Sequence, residues 1–206
     1  MAEPTARRRA PGMSTEQRRA MIVAAALPLV AEYGAAVTTA QIARAAGIGE
    51  ATIFRAFKDK DEVLAACTAE AMNPSHVLRE LASISLDQPL ADRLTEAAEA
   101  MRAHLARMGA VVGALHASGH RRERSPAAAR PSDSRETAMR ATRDALTELV
   151  EPDRAALRLP PERVASIFLG MLFTQLHFGA EGVDVDPVEF VGVLLHGTLD
   201  QPGSGT

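Results

Sequence analysis

The sequence predicts an all-α protein, and three observations support that prediction. Alanine, leucine and arginine dominate the 206 residues, whereas aromatic residues make up only 3 % and Trp is absent. This composition favours helix over sheet, and the apolar residues recur at helical spacing with no long strand signal. The stretch TTAQIARAAGIGEATIFRAF, from Thr38 to Phe57, fits two short helices around a glycine turn.

The first helix is expected over residues 15–33, ending at Gly34. Ser14 and Gln17 form a capping box at its start. Pro28 lies inside this helix, where a proline costs about 3 kcal/mol or bends the helix axis. Apolar residues at helical spacing nevertheless favour one helix through this position.

The same stretch, from Arg18 to Ala36, also resembles a secretory signal peptide, because an arginine pair precedes a run of mostly apolar residues. Glu32 and the helical unit that follows at once favour the helix over an export signal. No stretch reaches the roughly 18 apolar residues of a membrane span. The single cysteine, Cys67, excludes an intramolecular disulfide and favours a reducing compartment. We therefore expect a cytoplasmic protein without a membrane partner, in which Cys67 is buried and inert.

The later helices follow from apolar periodicity between turn formers. They are expected over 39–46, 49–56, 61–72, 89–108, 110–118, 134–150, 161–180 and 187–199. The residues NPSH, at 73–76, are expected to interrupt the helical structure after the helix over 61–72. Residues 118–136 are expected to form a mobile loop. The predicted organisation is a flexible basic arm (1–13), a helix-turn-helix domain (14–60), a helical body (61–200) and a tail (201–206).

Charge divides unevenly along the chain, although the overall net charge is only −3. Residues 1–60 hold nine Lys or Arg against five Asp or Glu, whereas the remainder holds 14 against 21. A basic N-terminal module on an acidic body indicates that only the first part meets a polyanion.

The spacing of small residues within 38–57 indicates a DNA-binding helix-turn-helix. Thr38 and Gln41 can cap the first short helix. Ala43 permits a close helix crossing, and Gly47, four residues later, suits a left-handed turn. Ile53, six residues further on, packs inward and leaves the outer face of the second helix free for a DNA groove.

With FKDKDEVL directly after it, this unit resembles the N-terminal domain of the TetR family of bacterial transcriptional regulators. The resemblance runs from about Ile22 to Leu64 and includes AAALPLVAEYG, VTTAQIARAAGI and ATIFRAF in order. It implies that Thr38 or Thr39 holds a phosphate and that Thr52 touches a phosphate or a thymine methyl group. It also implies that Lys60 meets a phosphate at a helix start. The alternatives are simple capping for the threonines and a solvated surface charge for Lys60.

The chain departs from the family pattern at two DNA-facing positions. Phe54 stands where a phosphate-binding Tyr is common, and Ala40 stands where some members read guanine with an arginine. Glu50 is expected either to accept a hydrogen bond from a cytosine amino group or to cap its helix.

The remaining candidates on the DNA-facing side are small or basic. Ala51 lets the backbone approach the groove, and Arg55 is the leading candidate for direct base contact. Arg44 and Lys58 are expected at the DNA backbone. The Arg7–Arg9 arm is expected either to enter the minor groove or to attract phosphates generally.

Two late helices carry more apolar surface than an outer helix pair needs in a monomer. In the TetR family, such helices pair with those of a second copy in a four-helix bundle; ordinary monomer core is the alternative. The predicted homodimer interface comprises Val164, Ile167, Phe168, Met171, Phe190, Val193 and Leu194. A two-fold dimer predicts a near-palindromic operator in double-stranded DNA.

Methionines on helix stripes predict an apolar ligand cavity, because methionine adapts to irregular shapes; plain core is the alternative. The candidate contacts are Met101, His104, Leu105, Met108 and Met139, for an apolar or amphipathic small effector. No nucleophile motif, phosphate loop or dinucleotide fingerprint is present, and the histidines lack a cysteine partner at metal-ligand spacing. We expect no cofactor, no metal and no enzyme activity. The predicted function is a ligand-responsive regulator, and the alternative is a helical binding protein or enzyme using a histidine of the body.

Overall fold

A computed structural model describes residues 13–119, 131–178 and 186–196, and every regular element within these ranges is helical. The α-helices are α1 (Thr15–Tyr33), α2 (Thr39–Ala45), α3 (Glu50–Ala56), α4 (Lys60–Ala71), α5 (Ser75–Ser83), α6 (Leu90–Ala117), α7 (Pro131–Val150), α8 (Pro161–Phe178) and α9 (Pro187–His196). Short 3-10 turns cover Gly34–Ala36 and Glu151–Ala156. The all-α prediction is confirmed. The predicted arm, apart from Met13, and the tail at 201–206 lie outside the described residues.

The chain forms two compact units, each with its own hydrophobic core. The first comprises Met1–Ala71 with Ala110–Arg121, and the second comprises Met72–Gly109 with Arg122–Thr206. The first unit thus extends beyond residue 60, where the sequence suggests a domain boundary, because α4 packs on α1 and buries Val63, Leu64 and Cys67.

Helix α1 has the predicted bounds and is the central core helix of the first unit. Ser14 and Gln17 make the predicted capping box, with Gln17 N donating to Ser14 Oγ at 3.1 Å. Ile22, Ala26 and Val30 are fully buried, and the helix continues through Pro28. Packing on both sides of the proline therefore outweighs its helix-breaking tendency. Contrary to the expectation from the sequence, one stretch in the described residues, Thr15–Ala36, is long and apolar enough by length and composition to cross a membrane. Its apolar residues Ile22, Ala26 and Val30 are buried in the core of the first unit.

Cys67 is fully buried in the same core, as the sequence predicts. Burial raises the pKa of its thiol to about 11, because an apolar environment disfavours the thiolate. The thiolate is the reactive form of cysteine, so this side chain contributes packing rather than redox chemistry.

A tight turn after α1 requires glycine at position 34. Gly34 has φ +57°, and a Cβ there would lie 2.4 Å from the carbonyl oxygen of Ala114. The next peptide is held at both ends: Ala35 N donates to Ser118 Oγ at 2.8 Å, and Ala35 O accepts from Lys60 Nζ at 2.8 Å.

Three features after α4 differ in part from the sequence prediction. The predicted break is present, because α4 ends at Ala71 and α5 begins at Ser75. Helix α5 itself is not among the predicted helices, and at its start Asn73 Oδ1 accepts from Ser75 N at 3.1 Å. The helices expected over 89–108 and 110–118 are one continuous helix, α6, and Gly109 lies inside it. Helix α7 begins at Pro131, inside the segment expected to be a loop, and residues 120–130 lie outside the described residues.

The core of the second unit joins α5, α6, α7, α8 and α9. Val77, Leu94, Leu146, Phe168 and Phe190 are almost fully buried in it. The Phe168 and Phe190 rings meet edge to face with centroids 5.2 Å apart, which is the geometry that aromatic pairs favour.

One charged side chain lies in this second core. Arg93 is 1 % exposed; its Nη2 contacts Asp153 Oδ2, and its Nη1 donates to Leu86 O at 3.2 Å. A buried guanidinium needs such partners, because an uncompensated charge is costly in an apolar interior.

Candidate nucleic-acid interface

Helices α2 and α3 form the predicted helix-turn-helix. Thr38 and Gln41 make the predicted capping box, with Thr38 N donating to Gln41 Oε1 at 2.8 Å and Gln41 N donating to Thr38 Oγ1 at 3.2 Å. Gly47 has φ +65°, the left-handed conformation expected of it. Ile48 N then donates to Ala43 O at 3.0 Å and closes the turn.

One face of this pair is buried and the other is open. Ile42, Ala43 and Ile53 are almost completely buried, as the sequence predicts. The outward face of α3 carries Glu50, Ala51, Thr52, Phe54 and Arg55, of which only Thr52 is half-buried. Phe54 is 52 % exposed, so its ring lies on the open side of α3.

The hydroxyl groups of the two threonines already donate within the chain. Thr38 Oγ1 donates to Gln41 Oε1 at 2.9 Å, and Thr39 Oγ1 donates to Glu50 Oε1. A hydroxyl has one hydrogen to donate, so neither threonine can bind a phosphate through its hydroxyl without breaking its present bond. Phosphate contact by Thr38 or Thr39 stays a prediction.

Glu50 is the first residue of α3, and the structure does not show the helix-capping alternative. The N-cap of α3 is Gly49, which makes no side-chain capping bond, and the Glu50 carboxylate instead accepts from Thr39. Because Thr39 is the first residue of α2, this bond joins the first turns of the two helices.

The basic candidates surround this face. Arg44 lies exposed in the last turn of α2, and Arg55 and Lys58 are exposed at and after the end of α3. Lys60 is half-buried, and its ammonium group binds Ala35 O, so it is not the fully solvated charge of the alternative interpretation. The Arg7–Arg9 arm lies outside the described residues.

Arg19 braces the end of α3, a role that no sequence pattern predicts. Its Nη1 donates to Ala56 O, its Nη2 lies 2.7 Å from Glu62 Oε1, and its guanidinium carbon lies 4.0 Å from the centroid of the Phe57 ring. The partners lie 37 and 43 residues away along the chain. In the sequence, Arg18 and Arg19 are visible only as the arginine pair that imitates an export signal.

Glu62 links Arg19 to the turn that follows the recognition helix. Its Oε2 accepts from Lys58 N at 2.6 Å, and Glu62 N donates to Asp59 Oδ1 at 2.8 Å. The Lys58 amide bond, followed by the Arg19 guanidinium, lowers the pKa of the Glu62 carboxyl group. The turn between α3 and α4 is therefore held by an ionised carboxylate.

The ligand candidates occupy different environments in the second unit. Met101 and Leu105 belong to the core, whereas Met108 is partly buried against it. Met139 is 41 % exposed. His104 is half-buried, and its pKa is lowered first by burial and then by the nearby Arg107 charge. Core packing accounts for Met101 and Leu105, and ligand contact stays a prediction.

The dimer candidates also separate into two groups. Val164, Phe168 and Phe190 are buried in the core of the single chain, with Met171 and Leu194 packed against it. These three buried side chains have almost no surface left for a partner. Val193 is half-buried, and Ile167 on α8 is 39 % exposed.

The fold and this face define a helix-turn-helix DNA-binding domain followed by a helical body. Residues 22–67 match the family model described as bacterial regulatory proteins, tetR family. This region of the chain is therefore a TetR-family N-terminal domain, and the resemblance in the sequence is confirmed. No curated protein matches the chain.

Solved structures share the fold over most of the chain. A TetR/AcrR-family transcriptional regulator from Thermobifida fusca is 20 % identical, covers 89 % of this chain and 99 % of its own, and has a TM-score of 0.60. A tetR-family regulatory protein from Rhodococcus is 21 % identical, with 87 % and 96 % covered and a TM-score of 0.53. FadR from Bacillus subtilis, in complex with stearoyl-CoA, is 15 % identical, with 87 % and 99 % covered and a TM-score of 0.50.

Proposed function

We propose that the protein is a cytoplasmic, ligand-responsive transcriptional regulator, a repressor that binds a near-palindromic operator as a homodimer. The observation that carries this proposal is the exposed face of α3, with Arg55 and Phe54 outward and Ile53 buried, in a TetR-family domain. Outward side chains of a recognition helix reach base edges in the major groove, and surrounding cations bind phosphates.

Arg55 is the side chain proposed to contact a base directly, because a guanidinium can donate two hydrogen bonds to guanine. The test is enrichment of bound fragments from random duplex DNA at moderate salt with wild type, Arg55→Ala and Arg158→Ala. Arg158 is an exposed arginine of the second unit and serves as the matched control.

We expect wild type and the control to enrich the same palindrome, and Arg55→Ala to relax one position in each half-site. If wild type enriches no sequence, the regulator proposal is wrong, and the alternative of a helical binding protein or enzyme takes its place. If Arg55→Ala keeps the full preference, the base contact is assigned to the wrong residue.

Dimer formation is proposed through α8 and α9, where apolar side chains remain uncovered in the single chain. Ile167 is 39 % exposed and Val188 is 65 % exposed. Light scattering on Ile167→Glu tests this, with Leu159→Glu as control, because Leu159 is similarly exposed at 41 % but lies before α8. A dimeric wild type and control with a monomeric Ile167→Glu support the proposal; a dimeric Ile167→Glu contradicts it.

The effector is proposed to be an amphipathic molecule with an acyl chain. Half-buried Met108 and the flexible methionines of the body provide an adaptable apolar surface, and FadR, a protein of the same fold, was solved with stearoyl-CoA. An effector that binds one conformation better shifts the population toward it and changes DNA affinity. Titration of stearoyl-CoA into the DNA complex is expected to release the duplex; unchanged binding contradicts this effector class but not DNA recognition.

A further inference from the structure

The Thr39–Glu50 hydrogen bond fixes an acidic side chain on the surface that faces DNA in the proposed function. Glu50 is exposed at the start of α3, and its Oε1 accepts from Thr39 Oγ1 at the start of α2. Glu50 is exposed, and the hydrogen bond that its carboxylate makes to Thr39 within the described part of the chain uses Oε1, which leaves Oε2 for a donor from outside. The bond thus holds one carboxylate oxygen and presents the other.

A carboxylate on this surface discriminates strongly among the groups of DNA. It can only accept hydrogen bonds, and phosphates repel it. In the major groove, guanine presents the acceptors N7 and O6, and thymine presents O4 and a methyl group. The donors there are the amino groups of cytosine and adenine, and carboxylates typically pair with the cytosine N4 amino group.

We infer that Glu50 sets the sequence preference of this protein by accepting a hydrogen bond from a cytosine amino group, and that Thr39 positions its carboxylate. This inference rests on the proposed function and deepens it by naming the base that one side chain selects. Glu50 contributes to specificity partly by repulsion, because its negative charge opposes binding to any DNA site that does not place an amino group opposite it. Thr39 donates its only hydroxyl hydrogen to Glu50, so in this arrangement the hydroxyl group is not available to donate to a phosphate.

The test uses the full chain and compares wild type with Glu50→Ala, Glu50→Gln, Thr39→Val and Thr39→Ser. Enriched sites are sequenced for each variant, and dissociation constants are measured on the best wild-type duplex. A second duplex carries 2-pyrimidinone, which lacks the 4-amino group, in place of the selected cytosine. Thr39→Val removes the hydroxyl at nearly constant shape, whereas Thr39→Ser keeps it.

We expect wild type to select cytosine at one position in each half-site and to lose about tenfold in affinity on the 2-pyrimidinone duplex. Glu50→Ala should lose that preference alone, bind both duplexes within about twofold, and bind unrelated DNA more tightly because a repelling charge is gone. Glu50→Gln should shift the preference toward adenine, whose N6 and N7 match an amide. Thr39→Ser should behave as wild type, and Thr39→Val should relax the cytosine position.

Tighter binding of unrelated DNA by Glu50→Ala distinguishes a specificity role of Glu50 from a structural role, because a variant that only damages the fold binds every sequence more weakly. The inference is overturned if Glu50→Ala selects the same sites as wild type, or if wild type tolerates loss of the amino group. Thr39→Val with unchanged selection overturns the positioning role. In each of these cases DNA binding, and therefore the proposed function, still stands; wild type that selects no DNA overturns both.

Discussion

Removing Asp153 should destabilise the protein more than removing Arg93, although both substitutions break the same ion pair. The Arg93 side chain is 2 % exposed, whereas that of Asp153 is 35 % exposed. Arg93 also donates to Leu86 O from inside the core of the second unit. When Asp153 is lost, the guanidinium stays buried without an opposite charge; when Arg93 is lost, the carboxylate can rehydrate.

The difference in magnitude follows from these exposures. An uncompensated buried charge costs about 3–5 kcal/mol, so Asp153→Ala should lower the free energy of unfolding by roughly that amount. Arg93→Met fills much of the same volume with apolar atoms. This substitution removes the partly exposed ion pair with Asp153, which contributes about 1 kcal/mol, and the hydrogen bond to Leu86 O, which contributes about 1 kcal/mol. We therefore expect Arg93→Met to cost about 2 kcal/mol or less, and Arg93→Met/Asp153→Ala to resemble Arg93→Met.

Urea denaturation at pH 7, followed by circular dichroism, measures all three variants. Glu151→Ala is the control, because Glu151 is a neighbouring acid whose partner Arg154 is also exposed, and it should change the unfolding midpoint little. Equal losses of unfolding free energy for Arg93→Met and Asp153→Ala, or a double variant less stable than Asp153→Ala alone, would refute the buried-charge explanation.

Three further predictions test other features. Gly34→Ala should lower stability by about 3 kcal/mol, from a positive φ and a Cβ 2.4 Å from a carbonyl oxygen. Gly47 also has a positive φ, but a Cβ there would meet open space, so Gly47→Ala should lower stability by only about 1–2 kcal/mol. Thermal denaturation measures both variants, and equal losses of stability for Gly34→Ala and Gly47→Ala would contradict the steric explanation. Arg19→Met should lower the free energy of unfolding by about 1–2 kcal/mol and speed amide hydrogen exchange at the end of α3. Glu62→Gln keeps an oxygen that can accept from Lys58 N, so it should lower the free energy of unfolding by less. Because folding lowers the pKa of His104, the stability contributed by its neutral form is complete above the unfolded pKa near 6.5 and is lost as pH falls toward the folded pKa. His104→Gln should therefore reduce the change in unfolding free energy between pH 7.5 and 5.5. An unchanged pH dependence in the variant would contradict this.

Local signals in the sequence were sufficient for the helix-turn-helix. The capping boxes at Ser14 and Thr38 and the left-handed Gly47 all occur as predicted. Each depends on residues within a few positions of one another, where chain connectivity already brings the groups together. Asn73 and Pro74 lie in the predicted break between α4 and α5, but the sequence pattern does not predict the short helix α5 that follows them.

Apolar periodicity predicted which helix faces are covered but not what covers them. The sequence pattern places Phe168 and Phe190 at a dimer interface, yet they fill the core of the single chain. The hydrophobic effect is non-directional, so a pattern of apolar residues does not distinguish a chain's own core from a partner's surface. Ile167, which stays exposed, could be separated from them only in the tertiary structure.

The sequence by itself determined the helical class, the helix-turn-helix module and the basic character of residues 1–60 against the acidic remainder, because composition, periodicity and short-range hydrogen bonds are local properties. Only the tertiary structure decided which charged side chains pair with residues far away in the sequence. Glu50 meets Thr39 across 11 positions, Arg19 meets Glu62 across 43, and Arg93 meets Asp153 across 60. Such pairs form where packing brings distant helices together, and the cost of leaving a charge unpaired there depends on burial that no local pattern encodes.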